Sequence, residues 1–403
     1  MSCLPDCSCS RIDQETDSVE EPIANDESSY QPLSEVSYLS EAIPLLPKDS
    51  AMIRYGADPS HYQLIAVIGK GLKEAATISL ARHLPSGRHV TVRRTNLDLC
   101  SDDIAYIQNE ILITRQLRHE NILPYLCSFV VDNEVWAVMP LMSYGSSKDI
   151  VNSHFPLGLP EVAIAFILRD VLFALDYIHK RGFIHRSVKA SHILISGNGR
   201  AVLTGLRYSC NVINNGRWQP SIHVFPHDSV ANLNWLSPEI LEQNLLGYNS
   251  KSDIYSLGIT ACELANGVVP FSDIPPTQML LEKLQGYYPR PLDASCFNDG
   301  DSVYKFQTKY DGESSYRNRQ FSEAFHALTE TCLQRDPSLR PHAFQLLQHG
   351  CIKQCKKSTV TLIDMLAIVT PFTEIPEISK DNKEAMVVTT LMGDLELKDS
   401  WNF

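Results

Sequence analysis

Apolar and polar residues alternate through the first part of the hydrophobic region, which is the period of half-buried β-strands. One segment breaks this alternation. Between Asp102 and Leu117, apolar residues recur at Ile104, Ile107 and Ile111, which is the spacing of an amphipathic helix. The pattern therefore predicts a small sheet with one helix packed against it. The predicted strands are Tyr62–Ile68, Ile78–Arg82, His89–Thr95, Leu126–Val131 and Val135–Met139.

Beyond Pro140–Gly145 the pattern becomes helical. Glu161–His179 is apolar nearly all round and is followed by Gly182, as expected for a central buried helix with a glycine beyond its end. A hairpin is predicted where Asn198-Gly199 separates two apolar runs. These features predict an α+β protein of two lobes, a small β-rich N-lobe and a larger α-helical C-lobe. The runs beside the hairpin are Ile193–Ile195 and Ala201–Leu203, and the further helices are Asp253–Asn266 and Phe321–Leu333.

Three segments fall outside this periodic core. Residues 1–57 hold eleven acidic and three basic side chains and little apolar surface, so they are predicted to be a disordered acidic tail. Residues 58–352 form the predicted domain, and the polar stretch near 292–320 is predicted to be a surface insertion. Residues 353–403 lack clear periodicity and are predicted to be a C-terminal tail ending in Trp401-Asn402-Phe403.

Composition narrows the classes of function. The 403 residues are 44% hydrophobic, enough for a substantial core, and the net charge of −12 argues against general nucleic-acid binding. The longest apolar runs, such as Val162–Leu168, are too short to span a bilayer. The eleven cysteines are irregularly spaced and no signal peptide opens the chain, so reduced intracellular thiols are expected. Cys3, Cys7 and Cys9 lack the partner set of a zinc site, and no metal is expected.

The most informative motif is His185-Arg186-Ser187, within the run from Phe183 to His192. It resembles a protein-kinase catalytic loop, in which an Asp follows the His-Arg pair as the base and a later Asn holds magnesium. Here those two positions are Ser187 and His192. A serine hydroxyl has no useful acidity near neutral pH and cannot replace a carboxylate base. The sequence therefore retains the catalytic-loop motif of a phosphotransferase but is predicted to lack the residues that transfer phosphate.

A second degenerate motif follows eighteen positions after Ser187, where Gly205-Leu206-Arg207 replaces the Asp-Phe-Gly that holds magnesium in a kinase. Both metal-ligand positions are thus lost. One hypothesis is cationic replacement, in which Arg93, Lys189, His192 and Arg207 would neutralise the charge of a triphosphate. The alternative is that Lys189 and Arg207 are solvated surface charges.

The motifs on the nucleotide side are also altered. Gly69-Lys70-Gly71, after Ile68, resembles the start of a phosphate-covering loop, but the loop is elongated and Glu74 occupies its third glycine position. Val90-Thr91-Val92-Arg93 has Arg where a kinase has its phosphate-binding Lys, and Glu110 is the natural partner. Arg93 is expected either to contact phosphate or to form a purely structural ion pair with Glu110.

Motifs that stabilise the fold are better preserved. Ser237-Pro238-Glu239 resembles the Ala-Pro-Glu that anchors a kinase activation segment, and Arg340 is expected to be the buried ion-pair partner of Glu239. Asp253 begins a helix that is expected to brace the catalytic loop from behind. Motifs in the expected order from about Tyr62 to Ile352 therefore predict a two-lobed protein-kinase-like fold.

Further stretches narrow the resemblance to the sterile-20-related adaptor pseudokinases. The sequence is similar to that family in the run from His185 to Ser196 and in Trp235-Leu236-Ser237-Pro238-Glu239. The opening Met1-Ser2-Cys3-Leu4 and the terminal Trp401-Asn402-Phe403 favour the beta member over the alpha member, although Arg93 with the residues after it resembles the alpha form.

The resemblance implies a catalytically inactive adaptor. Its members bind ATP without hydrolysing it, here independently of magnesium, and activate a liver kinase B-type serine/threonine kinase that they hold as a pseudosubstrate. An armadillo-like scaffold protein completes the heterotrimer, which implies scaffold binding by Trp401 and Phe403. The resemblance also implies residence in nucleus and cytoplasm, with the partner kinase moved to the cytoplasm. Neither nucleic acid nor a membrane is an expected partner.

Two alternatives stay open on the residues alone. An atypical active kinase, or another nucleotidyl or phosphoryl transferase, would need a substitute base, and Asp170, Asp176 and Asp228 are candidates without the motif position. A purely structural scaffold with an empty cleft is the other alternative, which the elongated glycine loop and Glu74 favour. A bound nucleotide would act as an allosteric ligand that favours the closed shape of the lobes.

Overall fold

The computed structural model describes residues 53–72, 74–225, 230–297 and 316–374. They form the predicted α+β fold, and the small lobe is a five-stranded antiparallel sheet in the order β1-β2-β3-β5-β4. Each predicted strand is present within a few residues of its predicted ends. The strands are β1 (Tyr62–Gly71), β2 (Ala76–His83), β3 (Arg88–Asn96), β4 (Cys127–Val131) and β5 (Glu134–Pro140).

One helix, α1 (Ile104–Gln116), packs beside this sheet, as its apolar spacing predicts. Ile107 is buried with Val135 of β5, and Ile111 lies against the same cluster. Ile104 is the exception, because its side chain is exposed at the start of the helix. A 3₁₀ segment, Asp98–Asp103, leads into α1. Its last residue, Asp103, pairs with Arg207 of the large lobe.

The large lobe is built around α3 (Glu161–Lys180), the predicted central helix, whose buried residues extend around most of its circumference. Helix α5 (Lys251–Asn266) is buried almost throughout and ends at Gly267, which adopts the left-handed conformation typical of a residue beyond a helix end. The remaining helices are α2 (Ser147–His154), α4 (Pro238–Leu241), α6 (Pro276–Gln285), α7 (Glu323–Cys332), α8 (Ala343–Leu346), α9 (Gly350–Lys353) and α10 (Leu362–Met365).

Short strands shape the face of the large lobe that meets the small one. The predicted hairpin is present as β8 and β9, joined through Gly199, and β6 pairs with β8 to extend it. A second small sheet pairs β10 with β7, next to the catalytic loop. The strands are β6 (Gly145–Ser146), β7 (Phe183–Ile184), β8 (Ile193–Ile195), β9 (Ala201–Leu203), β10 (Cys210–Asn211), β11 (Ile213–Asn214) and β12 (Arg217–Trp218).

The folded body extends beyond both predicted domain boundaries. At the start, the Tyr62 hydroxyl donates a hydrogen bond to the Gly56 carbonyl, and the ring of Tyr55 packs on His83, so residues 54–57 belong to the small lobe rather than to a tail. At the end, Leu362, Leu366 and Val369 are buried in the core of the large lobe. The predicted C-terminal tail is therefore packed structure as far as residue 374.

The predicted surface insertion at 292–320 has buried side chains near both of its described ends. Asp293 is fully buried and accepts a hydrogen bond of 2.8 Å from the backbone N–H of Phe321. Tyr316 is buried as well, and its hydroxyl donates to the Asn266 carbonyl over 2.9 Å. Polar composition suggested exposure, but these polar groups are buried because each has a hydrogen-bond partner. Residues 298–315, the middle of the segment, lie outside the described residues.

A helix that crosses a bilayer needs about 20 predominantly apolar residues. Among the described residues, none of the helices combines the length and the apolar character that a membrane crossing requires.

Candidate nucleotide cleft

A cleft of about 700 Å³ lies between the sheet of the small lobe and the large lobe. The structure brings all the predicted nucleotide-binding residues to its walls, although they come from β1, β3, the catalytic loop and the segment after β9. Lysine and arginine outnumber carboxylates five to three among the lining residues, which favours an anionic ligand. The predicted residues on its walls are Ile68, Gly69, Lys70, Gly71, Arg93, Lys189, His192 and Arg207.

The back wall of the cleft contains the predicted Arg93–Glu110 ion pair. The guanidinium donates two hydrogen bonds to the carboxylate, over 3.2 and 2.9 Å, and a third of 2.7 Å to the hydroxyl of Tyr125. Burial alone would raise the pKa of Glu110, but Arg93 outweighs it and holds that pKa below its ordinary value. The Arg93–Glu110 ion pair is present, and contact of Arg93 with phosphate stays a prediction. Tyr125 had no motif that could have identified it.

A second ion pair ties α1 to the large lobe. Arg207 donates to Asp103 over 2.8 Å and lies over the rings of Tyr106 and Tyr208. The side-chain amide of Asn109 also donates to the carbonyl of Arg207, over 3.0 Å. Arg207 is therefore buried and paired, so the solvated-surface alternative is wrong for this residue. Helix α1 is held inward from the sheet side and from the large-lobe side.

The catalytic-loop backbone is held from behind by Asp253, as predicted. Its carboxylate accepts hydrogen bonds of 2.8 Å from the backbone N–H groups of His185 and Arg186 and lies 2.8 Å from Nε2 of His179. Arg186 has a φ of +61°, a left-handed conformation that is unfavourable for a long side chain. These hydrogen bonds hold the loop in that unfavourable shape, with Ser187 at the position predicted for the base.

His192 contacts both Ser187 and Gly205, the other two positions predicted to replace catalytic residues. Nδ1 of His192 lies 2.8 Å from the carbonyl oxygen of Ser187 and 3.1 Å from its hydroxyl. A Cβ placed on Gly205 would lie 2.4 Å from the same Nδ1, and Gly205 has a φ of +86°. Because a carbonyl oxygen only accepts, Nδ1 carries the ring proton and donates it to Ser187.

The cationic role predicted for His192 does not fit its surroundings. Burial lowers the pKa of this imidazole well below its ordinary value, and the nearby charge of Lys189 lowers it further. The ring is therefore neutral at neutral pH and supplies no positive charge to a triphosphate. Its contribution to the cleft is shape and a hydrogen-bonding edge.

Lys189 is half-buried rather than a free surface charge. Its ammonium donates to the Ala231 carbonyl over 3.1 Å and lies 5.2 Å from the ring of Trp235. Burial lowers the pKa of Lys189 to about 8, with smaller effects in the same direction from Lys148 and Arg207. A lysine in this position keeps its charge at neutral pH and gains from an anionic neighbour.

The glycine loop departs from a phosphate clamp in the way that its sequence predicts. Glu74 has a φ of +74°, and its carboxylate pairs with Lys70 over 3.5 Å. Both side chains are largely exposed, so this pair is weak and easily exchanged for other partners. Lys70 remains on the wall of the cleft, while Glu74 does not line it.

Comparison with known proteins gives a consistent answer. The protein kinase domain family matches residues 62–352. STE20-related kinase adapter protein alpha of Mus musculus is 45% identical over 386 residues, covering 90% of this chain and 89% of that protein. The chain belongs to the STE20-related kinase adapter family. The alpha protein of Gallus gallus is 46% identical over 80% of this chain and 88% of its own length.

Within this adapter family the preference for the beta form is not supported. STE20-related kinase adapter protein beta of Homo sapiens is 41% identical, covering 79% of this chain and 81% of that protein. That identity is below the 45% shared with the murine alpha protein over a longer stretch. The preference rested on short terminal peptides, which carry little weight against similarity along the whole folded body.

The predicted ion pair between Glu239 and Arg340, which joins two distant segments of the chain, is present. Arg340 is fully buried and donates to both carboxylate oxygens of Glu239, over 2.7 and 2.9 Å. It also donates to the carbonyls of Gln334 and Lys251. The predicted pair is confirmed, and it connects α4 to the loop that precedes α8.

The proposed substitutes for a catalytic base lie away from the cleft. Asp170 is buried and accepts from the backbone N–H of Ala201 over 3.0 Å, while Asp176 pairs with Lys180 over 2.8 Å. Neither lines the cleft. Asp228 lies outside the described residues, as do Cys3, Cys7, Cys9, Trp401 and Phe403.

The cleft also contains carboxylates that sequence reasoning missed. Asp149 lines it and accepts from the Ser146 hydroxyl over 2.6 Å, and Asp103 lines it and pairs with Arg207. Within the described ranges, no group of three or more His, Cys, Asp or Glu side chains is arranged to hold a metal ion. The further wall residues that no motif identified are Tyr125, Lys148 and Phe372.

Proposed function

We propose that this protein is a catalytically inactive pseudokinase adaptor that binds a serine/threonine kinase and activates it allosterically. The observation that carries the proposal is the contact among Ser187, His192 and Gly205. These residues replace the base and both magnesium ligands of a kinase, and they are packed against one another. A working base or metal site would require rebuilding that contact.

The shape around this contact supports an adaptor. Helix α1 is held inward by Arg93 and Asn109, the catalytic loop by Asp253, and the activation-segment anchor by Arg340. In an active kinase the inward helix and the anchored activation segment present the groove for a protein substrate. A partner kinase bound in that groove as a pseudosubstrate would be held without being phosphorylated.

The relatives are named kinase adapter proteins, which supports binding to a kinase. The proposed partner is a liver kinase B-type serine/threonine kinase. An armadillo-like scaffold protein would complete a heterotrimer by binding Trp401 and Phe403. The complex would reside in nucleus and cytoplasm and move the partner kinase to the cytoplasm.

ATP is the proposed ligand of the cleft, bound without hydrolysis and without magnesium. The residues fit an unchelated triphosphate, because Lys70, Lys148 and Lys189 supply positive charge where metal-ligand carboxylates are missing. A nucleotide that contacts both lobes has higher affinity for the closed shape, so it would favour the form that binds the partner.

The adaptor role is tested with the purified full-length chain, its partner kinase and the scaffold. We expect the partner's activity on a peptide substrate to rise at least tenfold in the complex, while the chain alone transfers no γ-phosphate with magnesium or manganese. The control is Asp176→Ala, at a carboxylate outside the cleft that pairs with the exposed Lys180, and it should change neither result. Phosphate transfer by the isolated chain would contradict the proposal, as would an unchanged activity of the partner.

Nucleotide binding is tested separately by thermal unfolding with ATP, in magnesium and in EDTA. We expect a rise in the unfolding midpoint of similar size in both conditions, because protein cations replace the metal. A shift that disappears in EDTA would contradict the metal-free arrangement. The absence of any shift would favour the empty-cleft scaffold.

A further inference from the structure

The segment after the kinase-like domain returns to the hinge between the lobes. Residues 357–374 cross the large lobe, where Leu362, Leu366 and Val369 are buried in its core. Ile363 packs on the β8–β9 turn, since a Cβ placed on Gly199 would lie 2.9 Å from its Cγ1 atom. The segment is therefore anchored along its length before it ends in the 3₁₀ turn Phe372–Glu374.

Phe372 is fixed at the hinge by its backbone and by its ring. Its N–H donates a hydrogen bond of 2.7 Å to the carbonyl of Ser143, in the connection between the lobes. Gly145 has a φ of +72°, and a Cβ placed on it would lie 3.2 Å from two ring carbons of Phe372. The ring lies against the bare backbone of Gly145 and forms part of the cleft wall.

Phe372 is part of a cleft wall that also contains apolar side chains. Leu123, Met139, Met142 and Leu194 line the cleft and pack in one apolar cluster. Gly145, against which the ring of Phe372 lies, begins β6, and the next residue, Ser146, pairs with Leu194 of β8. The cleft is also lined by lysine and arginine side chains. An anionic ligand with a planar apolar group therefore suits this lining.

We propose that Phe372 is a ligand-binding residue that contacts the heteroaromatic base of the nucleotide and closes the hinge side of the cleft. This inference rests on the proposed binding of ATP and adds a contact from outside the kinase domain. Aromatic rings bind bases through their faces or edges, and removing such a ring weakens binding about five- to fiftyfold.

Nucleotide binding and the attachment of residues 357–374 to the large lobe stabilise each other. If the ring strengthens nucleotide binding, the nucleotide stabilises the attachment of residues 357–374 by the same factor. The same chain continues to the proposed scaffold-binding residues Trp401 and Phe403. Nucleotide bound in the cleft would thus hold residues 357–374 in place, and the chain continues from there to Trp401 and Phe403.

The test uses the full-length protein with Phe372→Ala and Phe372→Leu. The ligands are ATP, titrated by calorimetry in EDTA, and inorganic tripolyphosphate, measured as a competitor of ATP. We expect the alanine variant to lose about five- to fiftyfold in ATP affinity and the leucine variant to lose less. Tripolyphosphate affinity should stay unchanged, because that ligand has no base.

The matched control is Ile368→Ala, at an exposed residue of the same segment that does not line the cleft. This variant should bind ATP as the unmodified protein does. Hydrogen exchange of residues 361–374 provides a second readout, since ATP should slow it in the unmodified protein and not in Phe372→Ala. The unfolding midpoint without ligand shows whether each variant is folded.

The outcomes separate this inference from the function on which it rests. If the unmodified protein binds neither ligand, the proposed nucleotide binding fails. If it binds ATP and Phe372→Ala binds equally well, the proposal for Phe372 is overturned. An equal loss for ATP and tripolyphosphate would also overturn it, because the ring would then act through general structure.

Discussion

At Gly205 the backbone is left-handed and the space beside it is filled by the ring of His192. His192, at one predicted magnesium-ligand position, therefore fills the space beside Gly205, which stands at the other. An aspartate at 205 needs that room for its side chain, and the histidine at 192 prevents it. The two substitutions are coupled by packing, so restoring one kinase residue alone should be unfavourable.

We predict that Gly205→Asp lowers the free energy of unfolding by about 2–4 kcal/mol, from left-handed strain and the collision with His192. Adding His192→Asn should recover about half of that loss, because the collision is removed and the strain remains. Urea denaturation measures both values. The control is Gly216→Asp, where φ is +74° but no atom lies within 4 Å of an added Cβ. A similar loss at positions 205 and 216 would contradict the coupling.

Lys189 gives the cleft a pH dependence. Burial lowers the pKa of its ammonium to about 8 in the free protein, and a bound phosphate would raise it again. The charge is present below that value and lost above it, so the attraction for ATP weakens as the pH rises through about 8. The opposing influence of Glu263 is smaller than that of burial.

We therefore predict that ATP affinity in EDTA falls about three- to tenfold between about pH 7.5 and about pH 9.5. In Lys189→Arg the decrease should disappear, because a guanidinium keeps its charge throughout that range. Calorimetric titration at several pH values measures both profiles, and the ligand's own ionisation cancels in the comparison. Parallel profiles would show that Lys189 does not contact the phosphates.

At the level of elements, Arg340 joins parts of the large lobe that are far apart in sequence. It connects the start of α4, through Glu239, to the turn after α7 and to the first residue of α5. Lys283 of α6 supports the same region, since its buried Nζ donates to the carbonyls of Asn234 and Leu236. The segment before Glu239 is thus held by two buried basic side chains.

We predict that Arg340→Ala lowers the free energy of unfolding by about 3–5 kcal/mol, because Glu239 would remain buried without its partner. Arg340→Lys should restore only part of the loss, since a lysine lacks the two-pronged geometry. In a double-mutant cycle, Glu239→Ala should cost less when Arg340 is already alanine. Additive losses measured by denaturant unfolding would contradict a coupled pair.

At the scale of the whole molecule, the described body from residue 54 onward is larger than the kinase match. Residues 54–57 complete the small lobe, and residues 357–374 extend the large lobe back to the hinge. The kinase-like fold is therefore extended by its own flanking segments, and one of them reaches the candidate ligand site.

Much of this architecture could be predicted because it depends on local pattern. The five strands of the small lobe, the hairpin at Gly199 and the long helix α3 each have a period or turn signal that tertiary contacts do not change. The buried ends of the 292–320 segment were not predictable, because Asp293 and Tyr316 are buried through partners far away in sequence. Phe372 was missed for the same reason.

Residue identity and order are sufficient to predict the two-lobed fold, the family, and the residues that stand at the predicted base and metal-ligand positions. What those residues contact is set by the tertiary structure. It makes His192 neutral through burial, pairs Arg207 with Asp103, and brings Phe372 to the cleft. Burial sets charge states, and proximity between distant segments sets contacts. Neither burial nor such proximity can be predicted from the local spacing of residues.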